Sequence, residues 1–209
     1  CSSDLAFSPD GRTLYFCSAE AKKIPEEYKE IRYNLCSIDF DPSAGTFGSR
    51  IDTLVNAEAL GKSVSFPRPS YDGKYIMFTL SDYGNFSIWH KEANLWLLDL
   101  TSGDLRELSE VNSDDTESFH NWSSNSRWFV FSSRRGDGLY THLYLASMDE
   151  NGKISKPFLL PQEDPETYYD RSVYSYNVPD FVNAPILLDT KVFEKRITSK
   201  ERIQVQVGN

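Results

Sequence analysis

The chain is poor in the residues that most chemistry needs: among 209 positions there are three histidines, three cysteines and two methionines. Cys1, Cys17 and Cys36 form no Cys-x-x-Cys pair, and no histidine is spaced to complete a zinc site, so the sequence offers no metal centre. An Asp-x-Asp-x-Asp-Gly calcium loop is also lacking. His90, His120 and His142 provide few general bases, and there is no Gly-x-Ser-x-Gly nucleophile elbow, Gly-rich phosphate loop or His-Glu-x-x-His. No catalytic residue and no cofactor is therefore assigned from the sequence. Positive charge is scarce as well, with 22 Lys and Arg against 31 Asp and Glu, a net charge of −9 and a pI of about 4.9. Displacing counterions from a phosphate backbone requires clustered Lys and Arg, which argues against nucleic acid as a partner. No apolar run approaches the roughly 20 residues of a membrane-spanning helix.

Helix signals are nearly absent too. Residues 19–31 are the exception, a charged stretch read either as a short helix limited by Pro25 or as a solvated loop. Hydrophobic residues make up 39% and aromatic residues 14% of the chain, enough for a sizeable core. They are arranged in a repeat. Ser8-Pro-Asp-Gly-Arg-Thr-Leu-Tyr-Phe16, Ser70-Tyr-Asp-Gly-Lys-Tyr-Ile-Met-Phe78 and Ser123-Ser-Asn-Ser-Arg-Trp-Phe-Val-Phe131 share one pattern. It consists of Ser, any residue, Asp or Asn, Gly or Ser, a basic residue, three mostly apolar positions, and Phe. Asp-Gly between apolar runs signals a hairpin, since a tight turn needs the positive φ that Gly and Asn tolerate. Each unit continues into a second apolar strand (Asn34 to Asp39, Asn94 to Asp99, His142 to Ser147), a turn glycine (Gly45, Gly103, Gly152) and a last strand. The reading is an all-β chain of four-stranded antiparallel meanders.

These repeats resemble the WD40-like β-propeller repeat of the TolB type, found in bacterial periplasmic proteins and in the propellers of some peptidases. The resemblance implies a β-propeller with blades at about 4–62, 63–115 and 116–170. A partial blade follows at 171–182, where residues 174–181 read as a fourth start. Residues 183–209 are a tail that supplies closing strands, from the alternation at 192–198 and 202–207, or leads into another domain. Three blades and a fragment fall short of the six or seven with which such propellers close. The expectation is thus a piece of a larger ring or, as the alternative, an assembly that closes between chains. The resemblance also implies an envelope protein of a bacterium, of Bacteroidetes type, in the periplasm or at the outer membrane. The start Cys-Ser-Ser-Asp resembles a lipoprotein, which would make Cys1 a lipid anchor; Cys1 reads equally well as an ordinary residue. Cys17 and Cys36 are expected as buried thiols, with a cross-strand disulfide as the alternative.

In the propeller geometry that the resemblance implies, the loop between strands two and three shares a face with the linker to the next blade. Variable loops on a rigid scaffold concentrate function, and this face carries the candidate binding residues Tyr83, Trp89, His90, Arg134, Arg135, Tyr140, Tyr168, Tyr169 and Arg171. Aromatic rings beside Arg supply interface hot spots and sugar or peptide clefts. The competing reading packs Trp89 and Tyr140 onto the blade tops and places Arg134 in a structural ion pair. His120 reads as a core histidine and His142 as structural. Asp114, Asp115 and Glu117, like Glu163, Asp164 and Glu166, read as solvated linkers. The expected function is a noncatalytic scaffold for a protein or glycan partner; the alternative is the propeller of a prolyl-peptidase-like hydrolase or a sugar lyase.

Overall fold

The computed structural model describes residues 2–187 and 189–200. Cys1 and residues 202–207 lie outside the described residues. Among the described residues the chain forms three four-stranded antiparallel sheets in sequence order, each a meander. Blade 1 comprises β1 (Ser2–Phe7), β2 (Thr13–Ser18), β3 (Asn34–Asp41) and β4 (Thr46–Val55). Blade 2 comprises β5 (Ser63–Pro69), β6 (Tyr75–Ser81), β7 (Asn94–Asp99) and β8 (Leu105–Glu107). Blade 3 comprises β9 (Glu117–Trp122), β10 (Trp128–Ser133), β11 (His142–Ser147) and β12 (Phe158–Leu159). The first strands of successive blades pack side by side, β1 against β5 and β5 against β9, as a propeller requires.

The repeated serine explains the hairpins atom by atom. Ser8 Oγ donates to Asp10 Oδ1 (2.6 Å) and accepts from Thr13 N–H (2.9 Å), while Gly11 N–H closes the turn on the Ser8 carbonyl (2.9 Å). Ser70 repeats the set with Asp72, Tyr75 and Gly73, and Ser123 repeats it with Asn125, Trp128 and Ser126. Gly11 and Gly73 sit at φ +69° and +71°, and Ser126 at φ +57° adopts the same left-handed backbone without glycine. Ser126 keeps its side chain because its buried Oγ accepts from Asp72 N–H (2.9 Å), joining the turns of blades 2 and 3.

A second repeated feature carries no sequence signal. Four residues before each anchoring serine stand Asp4, Phe66 and Phe119, at φ +52°, +55° and +45°, and the pairing register shifts beside each. Each is a bulge in the first strand; Asp tolerates positive φ better than most residues, whereas the two phenylalanines do not. The bulges join adjacent blades. Asp4 Oδ2 accepts from Phe66 N–H (3.1 Å), and the Phe66 and Phe119 rings lie 4.5 Å apart.

Two apolar cores fill the spaces between blades. One, between blades 1 and 2, includes Cys17, Leu35, Val64, Ile76 and Phe78. The other, between blades 2 and 3, includes Met77, Leu95, Leu97, Trp122, Phe129 and Phe131. Side-chain alternation with period two sends Ile76 and Phe78 to one core and Met77 to the other, so β6 is apolar on both faces. Cys17 and Cys36 are both buried free thiols. They do not face each other: Cys17 pairs with Leu35 and Phe16 with Cys36, so the two thiols point to opposite sides of the sheet.

Past blade 3 the sequence expectation needs correction. Residues 192–198 lie in helix α2 (Thr190–Thr198), not in a strand, and α1 (Pro165–Arg171) starts on Asp164, whose carboxylate accepts from Thr167 N–H (3.2 Å). Residues 172–187 contain no strand. Even so, 175–177 repeat the contacts by which a first strand joins the preceding blade. Val64 N–H bonds the Tyr33 carbonyl (2.9 Å) and Glu117 N–H the Ala93 carbonyl (2.8 Å); Tyr176 N–H bonds the Thr141 carbonyl (3.0 Å) at the equivalent place. Ser63 Oγ accepts from Tyr33 N–H (3.0 Å) as Ser175 Oγ does from Thr141 N–H (3.4 Å). Thr79 Oγ1 donates to the Glu117 carbonyl (3.4 Å) as Ser132 Oγ does to that of Tyr176 (2.7 Å). The segment therefore occupies the first-strand position of a fourth blade without the sheet that would complete it. In residues 19–33 the charged stretch is a loop with one 3₁₀ turn, Tyr28–Glu30.

Candidate functional site

The β2–β3, β6–β7 and β10–β11 loops emerge from one face together with the linkers 56–62 and 108–116, and the serine turns lie on the opposite face. Between blades 2 and 3 the loop face opens into a cleft of about 140 Å³, lined by Ile88, Trp89, Arg134, Leu139, Thr141, Ser175 and Asn177. Trp89 ends the 3₁₀ turn Ser87–Trp89 and is 66% exposed. Arg134 follows β10 and is buried. Its guanidinium lies 4.9 Å from the Trp89 ring centroid, and it donates to the carbonyls of Gly138 and Ile88, with Asp115 Oδ1 at 3.8 Å. With its donors engaged inside the protein, Arg134 acts as a support that fixes the Trp89 ring through a cation–π contact. The rim is polar: Thr141 Oγ1 donates to Asn177 Oδ1 (2.9 Å), and Ser175 stands beside them. The cleft presents a large flat ring with hydroxyl and amide groups at its edge. That surface suits stacking and directed hydrogen bonds.

The other candidates fall into separate groups. Tyr83 and His90 lie together, ring centroids 4.1 Å apart, with Tyr28 edge-on to Tyr83 and Glu92 Oε1 3.1 Å from His90 Nδ1. This cluster sits over a close approach between blades: a Cβ on Gly84 would come within 2.3 Å of the Tyr33 ring, so only glycine fits. Tyr168 and Tyr169 in α1 form a third group. Tyr169 packs on His142 at 5.0 Å and donates to the Leu160 carbonyl (2.5 Å), while Tyr168 shares a hydrogen bond with Tyr176 that pushes its phenol up to about 12. Tyr140 is half-buried, with its N–H on Asp137 Oδ1 (2.9 Å), and Arg171 is exposed at the end of α1.

Arg135 turns inward. It donates to Glu117 Oε1 (2.9 Å), Ser133 Oγ (2.8 Å) and the Val111 carbonyl (2.6 Å), and it lies over the Tyr144 ring at 4.6 Å. Here the reading of a solvated acidic linker is overturned: Glu117 is fully buried and Asp115 nearly so. Burial pushes the Glu117 carboxyl up, opposed by hydrogen bonds from Ser113 Oγ (2.6 Å), Ser113 N–H (3.0 Å) and Ser133 Oγ (2.9 Å) and by the Arg135 charge. His120 is also buried; its Nε2 donates to the Met77 carbonyl (2.9 Å), and burial pushes its pKa down to about 3, so the ring is neutral. Among the described residues no three His, Cys, Asp or Glu side chains converge as metal ligands, and no helix is long and apolar enough to cross a membrane. Ser175 and Asn177 escaped sequence reasoning as cleft residues because α1 separates them from blade 3 along the chain. Glu117 escaped because its acidic neighbours masked it.

Sheets and faces together define a β-propeller domain. No family model matches the chain, and no curated protein matches it. Solved structures do. TolB from Acinetobacter baumannii is 20% identical with a TM-score of 0.46, over 75% of this chain and 32% of its own. A puromycin-hydrolysing peptidase from Mycobacterium tuberculosis is 16% identical with a TM-score of 0.51, over 77% of this chain and 23% of its own. An ancestral GH74 enzyme is 9% identical with a TM-score of 0.52, over 76% and 19%. The chain thus spans about a third or less of each of these structures, and the likeness is one of fold.

Proposed function

We propose that the chain is a noncatalytic binding scaffold that recognises a protein or glycan partner through the loop face, centred on the cleft between blades 2 and 3. The observation that carries this reading is Trp89, largely exposed yet held rigid by the buried Arg134 guanidinium. An exposed, preorganised Trp beside a polar rim has the character of an interface hot spot, because little side-chain freedom remains to be lost on binding. The repeat resemblance supports a place in the periplasm or at the outer membrane, with Cys1 as an acylation site that palmitate labelling tests. For the propeller of a hydrolase, the likeness to a peptidase gives support in fold alone.

The test is capture by the immobilised chain, against envelope proteins and a glycan array. Trp89→Ala is expected to lower capture at least tenfold, given that hot-spot truncations weaken binding by about 2 kcal/mol or more. Unchanged capture by Trp89→Ala would refute the choice of site. Tyr83→Ala, in the separate loop cluster, is expected to leave capture near that of the parent.

A further inference from the structure

The cleft beside Trp89 is small, and its backbone is already spent. Its volume of about 140 Å³ lies below the roughly 300 Å³ at which pockets begin to enclose a drug-sized ligand, so it takes one ring and not a length of chain. The backbone N–H groups of Trp89, Arg134, Leu139, Thr141 and Tyr176 are all donated within the protein, to the carbonyls of Phe86, Thr116 and Thr141, the Asp137 carboxylate and the Ser175 hydroxyl. A peptide strand added to an edge needs a row of free N–H and C=O groups, and this wall offers none. A polyproline segment needs an aromatic-lined groove; among the described residues of the lining, Trp89 is the single aromatic. What stays open is side-chain chemistry. Thr141 Oγ1 donates to Asn177 Oδ1 (2.9 Å), which leaves the Asn177 amide protons and the Thr141 lone pairs, and Ser175 Oγ accepts from Thr141 N–H (3.4 Å), which leaves its hydroxyl proton. Among the described residues no partner takes these protons. Arg134 adds no free charge, because its guanidinium is held by the carbonyls of Gly138 and Ile88 with Asp115 Oδ1 at 3.8 Å.

We infer, resting on the reading of this cleft as the binding site, that its ligand is one neutral hexopyranose unit of a glycan. A pyranose ring has a face of C–H bonds and a girdle of hydroxyls, each of which both donates and accepts. The polarised C–H face packs on the negative face of an indole, which Trp89 supplies. Arg134 holds that indole in place, so little freedom is lost when the sugar stacks. The girdle meets donors at Asn177 and Ser175 and an acceptor at Thr141 Oγ1. Thr141 and Asn177 are themselves hydrogen-bonded, which sets a donor and an acceptor side by side, as neighbouring hydroxyls on a ring require. Ile88 and Leu139 add apolar wall for the remaining C–H groups. An acidic sugar fits poorly, since the chain carries a net charge of −9 and Arg134, the cation of the lining, is already engaged.

The experiment titrates the whole chain with the methyl glycosides of glucose, galactose, mannose and N-acetylglucosamine, with methyl glucuronide and a decaproline peptide alongside. Saturation-transfer NMR reads binding and shows which ligand protons touch the protein. At least one neutral glycoside is expected to bind with a millimolar Kd, the range open to a ligand of so few atoms, with its ring C–H protons receiving the most transfer. Trp89→Ala is expected to weaken it at least tenfold. Asn177→Asp, which keeps the acceptor for Thr141 and removes the amide protons, is expected to weaken it severalfold at an unchanged Tm. Methyl glucuronide should bind several times more weakly than methyl glucoside. Four results would overturn the inference: no glycoside that saturates, binding that survives Trp89→Ala, glucuronide bound as well as glucoside, or decaproline bound at Trp89 in place of any sugar. Protein capture that depends on Trp89 while every glycoside fails would remove the sugar and leave the scaffold. Capture indifferent to Trp89→Ala would remove the site itself.

Discussion

Single residues decide how closely the repeats are followed. At the third turn, Ser126 accepts a strained φ in return for a hydrogen bond to the neighbouring turn. Ser126→Ala keeps the strain and loses the bond, and should destabilise the chain by about 1 kcal/mol. Ser126→Gly loses the bond but relieves the backbone by about 1 kcal/mol, and should be near neutral. Urea unfolding of the pair separates the two contributions. His120 makes a second prediction. Its folded pKa is depressed to about 3 from an ordinary 6.5, so the stability tied to its neutral ring is complete above 6.5 and is lost as pH falls toward 3. Glu117 acts with the opposite sign: its raised carboxyl pKa makes its contribution decline as pH rises through the ordinary Glu range. Parent stability is expected to fall between pH 6.5 and 4, and His120→Asn to fall less over that interval. Urea midpoints at a series of pH values measure the difference.

At the level of strands and loops, the hairpins were legible from Asp-Gly and from the Phe that ends each copy, because turn chemistry and alternation are local. The paired cores emerge only in the structure, where Ile76 and Phe78 of β6 turn to one and Met77 to the other. The bulges at Asp4, Phe66 and Phe119 were not legible, since a lone Asp is a weak sign of positive φ and Phe is none; what the three share is contact with the adjacent blade. The same reason hid the fourth-blade position of 175–177, which depends on carbonyls supplied by blade 3. Of the binding candidates, the sequence indicated Trp89 and Arg134 as loop-face residues. It did not distinguish Arg134, which supports the cleft, from Arg135, which serves the interior, because the difference lies in which neighbours each side chain meets. Ser132→Ala removes the one hydroxyl proton that the carbonyls of Tyr176 and Asn177 share. It is expected to release residues 172–187 to limited proteolysis while Tm falls by only a few degrees, consistent with about 1 kcal/mol per hydrogen bond. Proteolysis matching the parent would show that the segment is held by other contacts.

Across the whole molecule, the blades are joined in series. The first strands β5 and β9 and the segment 175–177 are each fastened to the residue before the third strand of the preceding blade, at Tyr33, Ala93 and Thr141. Stability in such an array is a sum of unit and neighbour terms. Among the described residues blade 2 has packed neighbours on both sides, so opening it requires breaking two interfaces, whereas blade 1 and the segment after blade 3 each show one. Native-state hydrogen exchange should therefore show a gradient, with the amides of β5, β6 and β7 slowest and protection falling outward in both directions. Uniform protection through all three sheets would mean that the array melts as one unit. The recurrent tie at Tyr33, Ala93 and Thr141 acts as a zip fastener: it sets the order in which the molecule comes apart, from the flanks toward blade 2, and the loop-face cleft opens whenever the link between blades 2 and 3 gives way.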